Sequence, residues 1–568
     1  MSGGLPVPEP LAPLEELYHC VLSADCLSLT PAHSANLLRS CLYAQGAGES
    51  ACECASASEL QCVSLTVLEQ LLCRLAARRG GPDFHLFAEE TWSLLQADVM
   101  GALLQQLNSE DLLVSHLSVT CASAAVIYQL HNTGSVNAEW SRWCIQTLRG
   151  PLGPPVDACV RSLTEVLRRL LKGAHYELGK KVLVEFDSSL SASCPRWLSA
   201  DAGGGCDGRG SSISLVVDLL EVLCACRSVC AHGATLSSLC LLGVCSRELL
   251  ALCSCSKPAV RRRVLLLLKR ALVQRAGEDW LGGHQGQSCR DVSLLAHSVL
   301  RAAAEGELKG VPLEGMPFFG GTQTVSSGRS VDNVSLRALC LVLLKSMELQ
   351  CHPDGSVVHA EPVPLALCLQ SLWDILPMDS PVPPSGQPRH CCSRVSSVFG
   401  EQDDDMMEAA KALLCIFLQH RQQEPAQSTS LLLWACPLGL NPHCQLLLLL
   451  RSLSFDHRVL LDFLISTETC FLEYFVRYLR FLRTDPGGFS AACASVCLEQ
   501  QQPGKDGGYR GCRGAGGAED TGGAGQGCGV VLVDYSSSGE SDTEVMERTG
   551  TLKEFNTETP IWRLLSAV

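Results

Sequence analysis

Charge, aromatic rings and long apolar runs are all scarce in this sequence, and each scarcity removes a class of protein. Charged residues make up only 18% of the 568 residues against 46% hydrophobic ones, so the bulk of the chain is not a charged, disordered polymer. No segment approaches the roughly 20 uninterrupted apolar residues of a membrane-spanning helix. The best candidate, Ala234 to Ser246, carries Ser and Thr and is closed by Arg247 and Glu248, so no membrane insertion is expected. Basic residues are outnumbered, 44 Lys and Arg against 59 Asp and Glu for a net charge of -15, which disfavours broad attraction to nucleic-acid phosphates. The opening stretch Met1-Ser2-Gly3-Gly4-Leu5-Pro6-Val7-Pro8 has neither the basic nor the apolar region of a secretory signal. An intracellular protein, cytoplasmic and/or nuclear, is the expectation. The 33 cysteines are then read as mostly reduced, small buried hydrophobes and not as a disulfide scaffold.

Chemical motifs are missing too. The sequence has no phosphate loop of the G-x-x-x-x-G-K-[ST] type, no G-x-S-x-G elbow, no H-E-x-x-H zinc helix and no C-x-x-C pair, so no enzyme, cofactor or metal is expected. Cys224, Cys226, Cys230 and His232 come nearest to a metal cluster, but residues two apart on a helix point to different faces. His390-Cys391-Cys392 has no partner pair at suitable spacing and reads as a loop with incidental thiols. Asp403-Asp404-Asp405 precedes an apolar-periodic segment, which suits a helix N-terminus better than a cation site.

What the sequence does contain is helical periodicity. From Glu59 to Ala77, Leu60, Val63, Val67, Leu68, Leu71, Leu72 and Leu75 recur at three- and four-residue steps, one apolar stripe. Similar windows run over residues 11 to 22, 85 to 107, 110 to 130, 156 to 172, 213 to 226, 258 to 274, 291 to 304, 333 to 350, 363 to 376 and 403 to 419. Helix stops such as Arg79-Gly80-Gly81-Pro82, Gly150 to Pro155 and Pro353-Asp354-Gly355 separate them. So many helices exceed one bundle, and the expected class is all-α, an armadillo/HEAT-like helical solenoid followed by a mostly disordered C-terminal tail. No clean repeat of about 40 to 47 residues accompanies it. Ala202 to Ser212 and Asp379 to Pro388 read as surface loops. The expected domains are a helical region at 1–485, a Gly/Ser-rich linker at 486–550 with an acidic serine motif, and a remnant at 551–568.

Three segments are candidates for binding or regulation. Arg261, Arg262, Arg263, Lys269 and Arg270 follow Pro258 and place basic groups seven apart on one helix. They are either a groove for an acidic peptide, nucleic acid or import receptor, or a solvated face. Phe471, Tyr474, Phe475, Tyr478 and Phe481 form a broad aromatic stripe that suits a core, with Arg477, Arg480 and Arg483 on a separate ladder. Ser537 and Ser541 each precede an acid by three residues, the spacing of acid-directed phosphorylation.

Particular blocks carry a resemblance. Glu401 to Ala412, Asn441-Pro442-His443-Cys444, and the long block Val459 to Leu479 closely resemble the Lines homolog family. Weaker matches are Asn108-Ser109, Leu113 to Leu117, Arg262 to Asp279, Phe318 to Gly321, Leu336 to Leu349, Leu532 to Tyr535 and Leu552 to Phe555. The resemblance implies a nonenzymatic helical protein with a large N-terminal and a short C-terminal helical domain, acting in Wnt/Wingless-type developmental signalling in nucleus and cytoplasm through protein partners, among them transcriptional regulators. It brings no catalytic residue. After Phe555 the sequence departs from the family pattern, closing on Thr559-Pro560-Ile561-Trp562 without the C-terminal helices. Adaptor work outside that pathway, or nucleic-acid association through the basic helix, are the alternative readings.

Overall fold

The computed structural model describes residues 11–24, 29–43, 51–199, 210–230, 236–274, 290–313, 323–326, 329–351, 361–376, 390–400, 402–423, 435–466 and 468–498. They are helical almost throughout. In chain order the helices are α1 (Leu11–Ser23), α2 (Pro31–Leu42), α3 (Ala51–Ala76), α4 (Pro82–Gln106), α5 (Leu112–Thr133), α6 (Ala138–Leu148), α7 (Pro154–Lys172), α8 (Tyr176–Ser199), α9 (Gly210–Cys230), α10 (Leu241–Val244) and α11 (Ser246–Leu252). There follow α12 (Pro258–Val273), α13 (Arg290–Ala304), α14 (Asn333–Cys351), α15 (Leu365–Ile375), α16 (Cys391–Phe399), α17 (Asp403–Gln423), α18 (Pro442–Ser452), α19 (His457–Ile465), α20 (Phe471–Leu482) and α21 (Pro486–Leu498). One antiparallel hairpin, Gln323–Ser326 with Arg329–Asp332, leads into α14.

Local chemistry sets these boundaries. Proline opens α2, α4, α7, α12 and α18, where its missing N–H costs nothing and its fixed φ suits the first turn. Side-chain caps supply the rest: Asp111 accepts from the amides of Leu113 and Val114, and Asn137 from Trp140, satisfying otherwise orphaned first-turn donors. Gly134 ends α5 at φ 68°, a left-handed cap that glycine adopts without strain.

Packing follows a two-place rhythm. Helix α3 packs on α5, α5 on α7, α7 on α9, α9 on α12, α12 on α14 and α14 on α17. A second row runs α2, α4, α6, α8, α10, α13, α15. Two layers result, sharing a core between them. Helix α5 is the one described helix long and apolar enough to cross a membrane, yet most of it is buried here, from Val114 to Leu130. Trp140 and Trp197 are fully inside, with the Trp140 indole N–H donating to Ser162 Oγ at 3.0 Å and Trp197 to the Gly150 carbonyl at 3.0 Å. These two buried rings thus keep their polar edge satisfied.

From α12 onward the seam between helices changes character. Asp405 of α17 receives Lys269 of α12 at 2.5 Å and Arg337 of α14 at 3.6 Å. One turn on, Glu408 receives Lys345 of α14 at 3.0 Å and Lys411 at 3.4 Å. Lys345 also pairs with Glu348, and Lys411 reaches Glu473 of α20 at 3.2 Å. Burial works against the charge on Lys345, but Glu348 and Glu408 more than offset it and raise its pKa above the ordinary lysine value.

Several expectations move. Helices α2, α6, α8, α16 and α18 had no predicted window. Pro486, expected to begin a linker, begins α21, which packs on α18. Most of Ala202 to Ser212, all of Asp379 to Pro388 and Pro353-Asp354-Gly355 lie outside the described residues, as do residues 499–568. Among the described cysteines nearly all are free, as expected, and Cys20 is disulfide-bonded.

Candidate protein-docking surface and a buried thiol cluster

The basic helix α12 lies inside the stack, and most of its charges face other helices. Arg261 is only 3% exposed and donates to the Cys255 carbonyl at 3.0 Å. Arg263 pairs with Asp218 of α9 at 3.0 Å, Arg270 with Glu221 of α9, and Lys269 with Asp405. Arg262 is half-buried and interacts as well. The periodic basic ladder was legible, but the acids opposite it sit about 40 to 140 residues away, beyond any helical spacing.

The aromatic helix α20 divides as its pattern predicts. Phe471, Tyr474, Phe475, Tyr478 and Phe481 are all buried. Tyr478 Oη lies 2.9 Å from His443 Nδ1, and the His443 ring stacks on Phe481 with centroids 4.8 Å apart. The opposite face is open. Leu472 and Val476 are exposed, and Arg480 and Arg483 continue the same stripe at steps of four, four and three, both exposed. Among the described residues neither arginine makes an ion pair, whereas Arg477 is tied to Glu473 at 2.8 Å. Helix α19 beside it has no buried residue at all, with Leu461 54% and Ile465 71% exposed. An aliphatic surface edged by two unpaired arginines is the result.

A second site was missed from the sequence. His390 caps α16, Cys392 is the second residue of that helix, Cys436 sits in the turn before α18, and Cys444 is in the first turn of α18. Their ligand atoms all lie within 4.8 Å of one another. Cys436 Sγ is 3.8 Å from Cys444 Sγ, which is 3.8 Å from His390 Nε2. Buried Asn441 caps α18 through Oδ1 and turns Nδ2 toward Cys436 Sγ at 3.1 Å. Gln445 Nε2 bridges the carbonyls of Cys392 and Gly439, at 3.1 and 2.9 Å, locking the two segments together.

The three thiols share their protons unequally. Hydrogen bonds from Cys392 and Cys444 hold Cys436 far below an ordinary thiol. The same contact with Cys436 raises Cys392. Cys444 is drawn down by Cys392 but pushed up to about 12 by Cys436 and burial. Of the three, Cys436 is the thiol shifted downward. Two helix N-termini and an amide donor beside it favour its ionised form.

The other sequence candidates fall elsewhere. Cys224 and Cys226 are buried core thiols, while Cys230 has no described side chain and His232 lies outside the described residues. Asp403 starts α17, as expected, and Asp405 serves as an ion-pair anchor. Ser537 and Ser541 lie outside the described residues.

Comparison with known proteins places both surfaces in a matched region. The family model described as Lines N-terminus covers residues 162–493. Protein Lines homolog 1 of Mus musculus is 31% identical over 483 residues, 78% of this chain and 62% of that protein. Protein Lines homolog 1 of Homo sapiens is 31% identical over 471 residues, 77% of this chain and 60% of that protein. The chain thus spans about 60% of the length of these curated relatives. No solved structure matches it. With more than half of its length under the family model, and with the α17 and α19–α20 blocks in the predicted order, the chain belongs to the Lines family.

Proposed function

We propose that this chain is a nonenzymatic helical scaffold of armadillo/HEAT-like solenoid type that modulates Wnt/Wingless-type developmental signalling by binding other proteins. The observation that carries the binding half is the outward stripe Leu472, Val476, Arg480 and Arg483 next to the open helix α19. Stacked helices offer an extended surface of this kind. Apolar anchors supply affinity there, and unpaired charge supplies selectivity and encounter rate. The occupant that fits is a protein segment with aliphatic side chains flanked by carboxylates. Family membership supports the signalling half, and the reading puts the protein in the cytoplasm, the nucleus or both. On this reading the tail bearing Ser537 and Ser541 is the regulatory part, since phosphorylation there adds charge in a segment rich in acids.

The basic helix contributes less to this reading than its composition suggests. Arg263, Lys269 and Arg270 are already neutralised by Asp218, Asp405 and Glu221. Proximity labelling of the full chain in an embryonic cell line tests the proposal, beside Arg480→Glu/Arg483→Glu and Arg262→Ala/Arg263→Ala versions. Wnt-pathway or transcriptional regulators should be recovered, lost in the first version and kept in the second. Recovery of trafficking or assembly proteins alone, unchanged in both, would overturn the signalling reading in favour of an adaptor. Partners lost only in the α12 version, with binding that weakens steeply with salt, would point to nucleic acid.

A further inference from the structure

We propose that His390, Cys392, Cys436 and Cys444 hold one structural zinc ion, which clasps the start of α16 to the turn that opens α18. Four ligand atoms within 4.8 Å of one another are what a tetrahedral site requires, because zinc–sulfur bonds of about 2.3 Å and zinc–nitrogen bonds of about 2.0 Å give tetrahedron edges of about 3.5 to 3.8 Å. Two edges already have that length: Cys436 Sγ to Cys444 Sγ and Cys444 Sγ to His390 Nε2, each 3.8 Å. A disulfide does not account for the arrangement, since its sulfurs would be about 2.05 Å apart and a third thiol would be left over.

The surroundings fit an ion better than incidental packing of thiols. Asn441, 1% exposed, spends both ends of its amide on the site: Oδ1 fixes the first turn of α18, and Nδ2 donates to Cys436 Sγ. Such outer contacts orient ligands and temper thiolate charge. Three thiolates and neutral imidazole around a dication leave a net charge of about -1, which the N-termini of α16 and α18 are placed to stabilise. Among the described residues, no other group of three or more potential ligands converges in this way.

Charge balance on binding is simple. Any of the three thiols still protonated releases its proton to solvent as its sulfur–metal bond forms, and no electron moves. Coordination through His390 Nε2 puts the imidazole proton on Nδ1. The 3.3 Å contact from the Cys392 amide to Nδ1 then gives way. The site is closed, with four protein ligands and no position for water or substrate, which marks it as structural. It joins segments that the chain separates by more than forty residues, so its stabilisation falls on the α16–α18 junction beneath α21 and not on the N-terminal layers.

Metal analysis of the full-length chain, purified without chelator, tests the site directly. One zinc per chain should survive dialysis in the wild type and in Cys391→Ser, whose thiol neighbours the cluster without joining it, and most should be lost in Cys436→Ser and Cys444→Ser. Zinc well below one per chain after reconstitution would overturn the proposal, as would equal zinc in Cys391→Ser and Cys436→Ser. Should the serine variants not fold, cobalt(II) loading of the wild type decides. Intense visible bands of a tetrahedral thiolate site should appear and be displaced by zinc, and their absence would also overturn it.

Discussion

The seam that joins α3, α5 and α7 and the seam that joins α12, α14 and α17 have the same two-place geometry and unlike chemistry. Along the first, Leu68, Leu71, Leu72, Cys121, Ala122, Ala125, Leu163 and Leu167 are buried, with charge kept to the rim, where Arg169 meets Glu69 at 2.8 Å and Glu165 at 2.6 Å. Along the second, two mostly buried clusters of ion pairs follow one another, Asp405 with Lys269 and Arg337, then Glu408 with Lys345 and Lys411, the latter continuing to Glu473 of α20. Leucine and alanine tolerate small shifts of one helix along another. A buried charge tolerates no loss of its partner. The second seam therefore fixes register where α20, with its exposed stripe, packs on α17.

The largest effect should come from breaking the charged seam. Glu408→Leu removes the partner that Lys345 and Lys411 share, leaving only Glu348 to the first and Glu473 to the second, and should cost about 3–5 kcal/mol in urea unfolding, the usual penalty for breaking a buried pair. Cutting the apolar seam with Leu71→Ala should cost about 2–5 kcal/mol by cavity formation. Its cost should be indifferent to pH, which sharpens the contrast. Lys345 and Lys411 both have raised pKa values; burial opposes their charge, but Glu348 and Glu408 for the first and Glu408 for the second prevail. A raised lysine contributes stability that is complete below its unfolded value of 10.5 and is lost as pH rises through the folded value. Alkaline titration should thus weaken the wild type above about pH 10.5 and leave Glu408→Leu less affected.

Between the two seams sits a close approach that a smaller change would disturb. The Gly243 amide donates to Asp291 Oδ1 at 2.6 Å, and Asp291 is buried against Arg227. A Cβ at Gly243 would run into that carboxylate. Gly243→Ala should cost about 1–3 kcal/mol by overpacking, read as a lowered thermal midpoint. The smallest effect belongs to the surface: Arg263→Ala removes a half-exposed pair with Asp218 and should cost less than about 1 kcal/mol.

How far the sequence foretells this arrangement depends on the range of the signal. Apolar stripes are local, so α5, α7, α12, α14 and α17 are readable within a few residues, while α3 begins eight residues before its predicted stripe. Helices α6 and α8 carry apolar stripes at helical steps as well, Trp140, Cys144 and Leu148 in the first and Val182, Phe186, Leu190, Cys194 and Trp197 in the second, although neither is among the predicted windows. The buried face of α20 is readable because its rings recur at helical steps. Whether the helix's outer face stays open depends on what lies opposite, which one helix does not encode. The thiol cluster escapes notice for the same reason: His390 and Cys392 meet Cys436 and Cys444 only through the packing of α16 on α18, and no short spacing announces them. The basic ladder of Arg261 and its neighbours likewise looks like an open surface until the acids of α9 and α17 are placed against it.

Hydrogen exchange across the full chain of Glu408→Gln is the measurement that tests the contrast most directly, because it reads each helix separately. Removing the one charge should speed exchange in α14, α17 and α20 while α3, α5 and α7 keep their wild-type protection. Faster exchange spread evenly along the chain, or confined to the apolar seam, would contradict the claim that buried ion pairs set the register of the C-terminal layers.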